Sequence, residues 1–155
     1  MNKSKIVACL QLLGVKPNME SFNDRKRMQK ITYLLPVFDI DVGLDIDSYS
    51  WYLHGPYNPN LTRALFEIVE NPDRVEIGEL NKEEIRKIKE LRTFLAEDIE
   101  SVDLLELLVS LHFLVHEARK FGLGQDAAID FLKKKKPYFT NSEIQWASRK
   151  IRMLT

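Results

Sequence analysis

Residues 101–120 read SVDLLELLVSLHFLVHEARK and contain the longest apolar stretch of a 155-residue chain. Ser101 is a typical N-cap residue, and over residues 104–115 apolar side chains occupy nearly every face of the helix that would follow. A helix that is apolar on all sides packs at the centre of a domain. Glu106 and His112 interrupt the stretch, which is also shorter than the roughly 20 residues that cross a bilayer. We therefore expect a buried central helix.

Six further segments carry apolar residues at helical spacing, with caps and terminators at their ends. Gly14 suits the position just after the first of them. Ser21 or Asn23 can cap the second, which Pro36 is expected to close. The predicted helices are residues 3–13, residues 24–35, residues 59–70, a segment from the Asn81 cap through Leu95, a segment that ends at about Lys135, and a segment from the Thr140–Asn141 cap through Ile151.

The chain between the second and third helices predicts a strand at residues 47–53, which is rich in aromatic residues. Gly55 and Pro56 are expected to break this strand, and residues 74–77 alternate as a second short strand. Strand, helix and strand in this order suit a small β-ribbon packed beside helices, as in a winged helix. The sequence therefore predicts one domain, residues 1–155, of mostly α (α+β) class, with about six to seven helices and a small β-ribbon, winged-helix-like.

Residues 39–47 alternate four aspartates with apolar residues. Oxygen-rich loops hold calcium, but the spacing D-x-D-x-x-x-D-x-D lacks the central glycine and the terminal glutamate of an EF-hand loop. Because apolar residues occupy the alternate positions, we interpret the segment as an acidic edge that faces solvent. No metal ligand is assigned here.

The chain carries 23 basic and 23 acidic residues, so its formal net charge is zero. Residues 1–36 carry +5, residues 37–78 carry −6, residues 79–117 carry −5 and residues 118–155 carry +6. Both ends are therefore basic and the middle is acidic. This pattern excludes only a surface that attracts nucleic acid or anionic membrane uniformly. The ends either complement the middle within the fold or offer a partner faces of opposite charge.

The single cysteine, Cys9, excludes an intrachain disulfide framework and indicates a reducing compartment. With no signal-peptide pattern, a cytoplasmic protein without a membrane partner is expected. His112 and His116 have a spacing that suits a divalent metal, but packed or boundary histidines are the preferred interpretation. Glycine loops that cradle phosphate and nucleophile motifs are absent from the sequence, so no catalytic residue, metal or cofactor is assigned.

Residues 49–61 read YSWYLHGPYNPNL and are the most informative segment for function. Gly55 and the proline after it require a tight reversal, and Asn58 caps a helix whose first N–H groups face the same corner. Two interpretations stay open: a corner that packs aromatic residues onto the core, or a recognition corner for a peptide, a nucleotide or a nucleic-acid backbone. The candidate partner-binding residues are Trp51, Tyr52, His54, Gly55, Pro56 and Tyr57.

Residues 27–35, RMQKITYLL, and residues 51–61, WYLHGPYNPNL, resemble the YwgA-like family of uncharacterised prokaryotic proteins. They match that family's R-x-x-L-Q-K-x-x-Y-L-L helix and Y-x-Y-G-P-Y-S-x-x-L corner, with His54 in place of the usual tyrosine and Met28 in place of leucine. More distantly, both motifs resemble the Panacea, or SocA-like, domain of antitoxins. The second resemblance implies toxin neutralisation or adaptor work through protein contacts.

The favoured hypothesis is a non-enzymatic regulatory or interaction module that binds a protein partner or a second copy of itself. The alternative is a winged-helix-like nucleic-acid-binding regulator that uses the basic ends, because residues 58–73 carry one base and three acids and would repel phosphate. An enzyme with His54 as its acid or base ranks third. Whether the basic ends meet on one surface separates the first two. The candidate nucleic-acid contacts are Arg25, Lys26, Arg27, Lys30, Lys133, Lys134, Lys135 and Lys136.

Overall fold

The computed structural model describes residues 1–154 and confirms a mostly helical fold with a small β-ribbon. Two short strands form an antiparallel hairpin, and short 3₁₀ turns connect several of the helices. The elements are α1 (Lys3–Leu13), α2 (Phe22–Val37), β1 (Ser50–Tyr52), β2 (Gly55–Tyr57), α3 (Pro59–Glu70), α4 (Lys82–Leu95), α5 (Val102–Lys120), α6 (Gln125–Lys135) and α7 (Asn141–Arg152).

Helix α5 lies at the centre of the molecule, as its apolar sequence predicts. Helices α2, α6 and α7 pack against it, and strand β2 contacts it as well. Helix α1 packs against α3 and α4. The buried apolar side chains of helices α1 to α7 form one continuous cluster. Within the described residues, no helix is both long enough and apolar enough to cross a membrane.

The predicted helix ends are largely confirmed, because local hydrogen bonds set them. Gly14 follows α1 with φ +75, and its N–H bonds to carbonyls of the last turn. Ser21 caps α2 in a reciprocal capping box with Asp24. One prediction is wrong: Pro36 does not close α2, which runs to Val37. Proline in a last turn only leaves one carbonyl without its N–H partner, so the turn still completes.

The β-ribbon differs from the predicted one. Residues 74–77 form no strand; Gly55 and Pro56 do not end the sheet but begin its second strand, in register with Tyr52 and Trp51. Leu53 and the residue after it form the turn, and Gly55 then takes φ +92, which glycine adopts without strain. Pro56 is tolerated because this two-stranded sheet leaves its nitrogen without a ladder partner.

The acidic segment 39–47 contains no strand, although its alternation is real. Ile40, Val42 and Leu44 are buried in the core. The four aspartates between and after them are exposed, which confirms the predicted solvent-facing acidic edge. The exposed acids are Asp39, Asp41, Asp45 and Asp47.

We expect the substitution Ala96→Gly to stabilise the protein. Ala96 ends α4 with φ +47 and ψ −127, a conformation that crowds an L side chain and that glycine adopts freely. The free energy of unfolding should rise by ~0.5–2 kcal/mol, measured by urea denaturation. The control Ala127→Gly, within ordinary helix α6, should lower it by ~0.5–1 kcal/mol. A loss of equal size in both variants would contradict the assigned conformation.

Candidate binding site at the β1–β2 corner

The inner face of the hairpin packs onto the helices. The Trp51 ring lies 6.1 Å from the ring centroids of both Phe113 and Phe131. Tyr49, just before β1, is buried with its ring 5.0 Å from that of Tyr33. Trp51, a predicted partner-binding residue, therefore lies against the core and supports the corner from within.

Glycine at position 55 lets the hairpin touch α5 directly. A Cβ atom at Gly55 would lie 2.4 Å from Ser110 Oγ and 3.5 Å from Lys30 Nζ. A side chain at position 55 would force the Ser110 hydroxyl to move, and the positive φ of Gly55 is a second reason for glycine. The backbone of the turn is thereby fixed against α5 and α2.

The outer face of the same hairpin is exposed and largely apolar. Leu53, at the tip of the turn, is 86% exposed, Tyr52 is 59% exposed, and Phe22, at the start of α2, is 51% exposed. The His54 ring meets Phe22 edge to face at 4.8 Å. We call these four residues the corner patch: Phe22, Tyr52, Leu53 and His54.

A cavity of about 430 Å³ opens beside the corner patch, between α2, the hairpin and α3. Its walls are mostly apolar, and the lining side chains that carry a charge near neutral pH are all basic. No aspartate or glutamate lies among the residues that the structure places around it. The lining residues are Phe22, Arg25, Lys26, Gln29, Lys30, Tyr52, Leu53, His54, Gly55, Tyr57, Thr62 and Phe66.

Two buried lysines hold the turn from below. Lys30 Nζ donates to the carbonyl of Pro56 at 2.7 Å, and Lys136 Nζ donates to the carbonyl of Leu53 at 2.9 Å. Lys30 is 2% exposed and Lys136 is 1% exposed. Hydrogen bonds from charged donors are stronger than neutral ones. The conformation of the turn therefore depends on two ammonium groups from opposite ends of the chain.

Glu106 is the buried counter-charge for this arrangement. Its carboxylate accepts from Lys26 at 2.7 Å, from Lys136 at 3.1 Å and from the Tyr138 hydroxyl at 2.7 Å. Burial opposes ionisation of Glu106, but these donors and the charge of Lys136 outweigh it and lower its pKa to about 2. Burial also lowers the pKa of Lys136, although Glu106 partly opposes that shift. Glu106 is therefore ionised at neutral pH.

Among the described residues, no carboxylate forms an ion pair with Lys30. Burial lowers its pKa to about 7; Lys136 and Lys26 add to that shift, and only Glu106 opposes it. The bonds of Glu106 go instead to Lys26, Lys136 and Tyr138. Three lysines thus surround one carboxylate, and the cluster has an excess of positive charge when all three are protonated.

The start of α3 is closed to an anion. The Asn58 side chain accepts from the N–H groups of Asn60 and Leu61, and Gln29 Nε2 donates to the Asn58 carbonyl at 2.8 Å. The N–H groups at the start of this helix, which the sequence predicts to face the corner, are therefore bonded to the helix's own cap. Tyr57 adds a rigid contact here, because its hydroxyl accepts from Thr62 at 3.0 Å.

The two basic ends converge only in part: Lys26, Lys30 and Lys136 meet around Glu106 inside the fold. Among the N-terminal candidates for nucleic-acid contact, Arg25 donates to the carbonyls of Met19 and Glu20. Arg27 donates to the Ile99 carbonyl and lies 3.5 Å from the Glu100 carboxylate. Lys26, Lys30 and Lys136 have the contacts given above. The candidates that stay exposed are Lys133, Lys134 and Lys135, in the last turn of α6.

The two histidines of α5 do not share a ligand. His112 Nδ1 lies 2.8 Å from the Tyr33 hydroxyl, and burial lowers the pKa of His112 to about 4. His116 Nε2 lies 3.0 Å from Asp47, which Lys120 also contacts at 2.6 Å. They are a packed and a boundary histidine, as expected.

Cys9 is a buried thiol on α1. Burial raises its pKa to about 11, so it is protonated at neutral pH. This agrees with the interpretation of Cys9 as a small core residue.

The ion-pair cluster of Lys26, Lys136 and Glu106 is the part of the site that sequence patterns do not predict. Glu106 lies 80 residues from Lys26 and 30 residues from Lys136, so no local pattern joins them. One signal was available: Glu106 interrupts the most apolar helix of the chain, where an unpaired acid would be costly.

No protein family, no curated protein and no solved structure matches the chain in the three comparisons made. The resemblance to YwgA-like and Panacea proteins therefore stays a prediction from residues 27–35 and 51–61.

We expect Glu106→Gln to lower the free energy of unfolding by ~3–5 kcal/mol at pH 7, because it leaves buried Lys136 and partly buried Lys26 without a counter-charge. The stability from Glu106 is present above its ordinary pKa of 4.5 and is lost as pH falls towards 2. The difference between wild type and variant should therefore shrink between pH 5 and pH 2, measured by urea denaturation.

The matched control is Glu117→Gln, on the same helix, because Glu117 is partly exposed and pairs with Lys120. It should change the free energy of unfolding by less than ~1 kcal/mol at either pH. A Glu106→Gln difference that stays constant across the acid range would contradict the assigned role of Glu106.

Proposed function

We propose that the protein is a non-enzymatic regulatory module that binds a segment of a partner protein at the corner patch. The observation that supports this is a group of large apolar side chains that stay exposed around a cavity. Leu53, Tyr52 and Phe22 contribute most of that exposed surface. Exposed apolar groups that are clustered and bordered by polar residues are typical of protein interaction sites.

The support beneath the patch favours binding as well. Lys30 and Lys136 hold the turn carbonyls, and Trp51 stacks beneath β1. A surface held in one conformation loses little entropy when a partner binds. The chain thus stabilises a turn whose tip, Leu53, has no role in its own core.

An antitoxin-like role, in which the patch covers a partner and neutralises it, belongs to the proposal. It is supported by the resemblance of residues 27–35 and 51–61 to Panacea domains. The proposal also includes a cytoplasmic location. It is supported by Cys9, which is buried and is the single cysteine of the sequence, because proteins of reducing compartments rarely contain disulfides.

The nucleic-acid alternative is supported by one observation, the exposed run Lys133–Lys135. Three basic residues in the last turn of a helix also stabilise that helix through its dipole, which explains them without a ligand. The remaining candidates form intramolecular contacts. We therefore rank protein binding first.

Selection from a random 12-residue peptide display library tests the proposal. We expect the enriched peptides to bind the variant Leu53→Ser at least tenfold more weakly than wild type, because the substitution removes an exposed apolar contact at the centre of the proposed site. Since the Leu53 side chain is exposed, its loss should not disturb the fold. The control Phe121→Ser removes a side chain that is 79% exposed. Phe121 follows α5 and is 11 residues from Ser110, the α5 residue beside Gly55. At the rise of an α-helix, this separation is ~16 Å. Peptides that bind wild type and Leu53→Ser equally would overturn the proposal.

Duplex DNA tests the alternative. Contacts by Lys133, Lys134 and Lys135 would give a log–log salt slope of about −2.7, whereas a protein-binding module should show no such affinity. Fluorescence anisotropy of a labelled 20-base-pair duplex between 50 and 200 mM salt measures it. Steep, salt-dependent binding that the triple Lys→Gln variant loses would place nucleic acid first.

A further inference from the structure

We propose that the cavity beside the corner patch is a carboxylate pocket, which takes an acidic side chain of the partner segment against Lys30, Lys26 and Arg25. An aromatic or aliphatic side chain next to that acid packs against the apolar walls. This inference rests on the proposed function and names the chemistry of the partner segment.

Charge complementarity is the first argument. The cavity is lined by basic groups and by no acid among the described residues. The nearby carboxylate of Glu106 already accepts three hydrogen bonds, from Lys26, Lys136 and Tyr138. When Lys30 is protonated, an entering carboxylate would therefore meet an excess of positive charge over the single charge of Glu106.

The hydrogen-bonding capacity of Lys30 is the second argument. Its ammonium group can donate three hydrogen bonds. Among residues 1–154 the structure gives it one acceptor, the carbonyl of Pro56. Lys30 is 2% exposed and lines the cavity, so a carboxylate there would satisfy donors that bulk water reaches poorly.

The cavity walls favour a carboxylate over a phosphate. Phe22, Tyr52 and Phe66 make the walls aromatic, and about 430 Å³ holds one or two side chains. An apolar site strengthens a charge–charge contact but penalises every charge that it desolvates. A carboxylate on an apolar body carries one charge, whereas a phosphate carries nearly two and needs more donors.

Binding of a carboxylate should also be coupled to the uptake of a proton by Lys30. Because burial lowers the pKa of Lys30 to about 7, much of this amine is neutral just above neutral pH. A nearby anion favours its charged form, so affinity should fall as pH rises from 7 to 9. The titratable and charged groups around Lys30 are Arg25 and Lys26 on α2, Tyr52, His54 and Tyr57 on the hairpin, Glu106 on α5 and Lys136 after α6.

The test uses the tightest library peptide that Leu53→Ser weakens, together with a twin in which each Asp or Glu is replaced by Asn or Gln. Calorimetry should show that wild type binds the acidic peptide at least tenfold more tightly than its twin. The variant Lys30→Met should bind both peptides within twofold of each other, as expected for coupled groups in a double-mutant cycle.

Two further variants keep this test interpretable. Lys133→Met makes the same charge change on exposed α6 and should keep the tenfold preference for the acidic peptide. Arg25 is half-buried on α2 and lines the cavity, so the variant Arg25→Gln should reduce that preference. This variant keeps the test available even if Lys30→Met proves unstable. A preference that survives in both Lys30→Met and Arg25→Gln would overturn the carboxylate pocket.

Titrations at pH 7.5 in phosphate and in Tris buffer measure proton uptake. We expect roughly half a proton or more per acidic peptide for wild type and none for Lys30→Met. Peptides that depend on Leu53 but carry no acid, or that bind as well as their twins, would refute the pocket and leave the proposed function standing. A library without Leu53-dependent peptides would refute both, and tighter binding of a phosphoserine twin would replace the carboxylate by phosphate.

Discussion

The buried carboxylate of Glu106 is the constraint on which the corner depends. A buried lysine is unfavourable unless an anion or several acceptors compensate its lost hydration. Glu106 compensates Lys136 directly, and Lys136 then has a donor left for the carbonyl of Leu53. Through this relay, one acid on the central helix sets the position of a turn that is otherwise exposed to water.

The same carboxylate joins parts of the chain that lie far apart in sequence. Lys26 comes from α2, Glu106 from α5 and Lys136 from the segment after α6. The zero net charge of the chain is therefore partly an internal balance, in which basic ends meet acid from the middle. This is why the basic runs are poor predictors of a phosphate-binding surface: several of their charges are directed inwards.

Local sequence determined most of what could be predicted. Capping boxes such as Ser21 with Asp24 act over three residues, so they can be recognised in the sequence and they hold in the structure. Local patterns mispredict the hairpin because Gly and Pro, which here are Gly55 and Pro56, usually interrupt strands. Here the turn needs a positive φ, and a Cβ atom at position 55 would lie 2.4 Å from Ser110 Oγ, so the Ser110 side chain would have to move. That second cause is a tertiary contact across 55 residues, which no local pattern contains.

The candidate corner shows the same division between local and tertiary causes. Strand alternation predicts that neighbouring residues of β1 face opposite sides, and Trp51 does face inwards while Tyr52 faces out. What alternation cannot predict is the identity of the groups beneath the turn. Among the described residues, Lys30 is the buried lysine of the corner that forms no ion pair with a carboxylate. When Lys30 is protonated, its unpaired charge therefore lies at the base of the exposed apolar surface. Stability and recognition are thus coupled there. The fold pairs Lys26 and Lys136 with Glu106, whereas Lys30 keeps hydrogen-bond donors available to a ligand in the cavity.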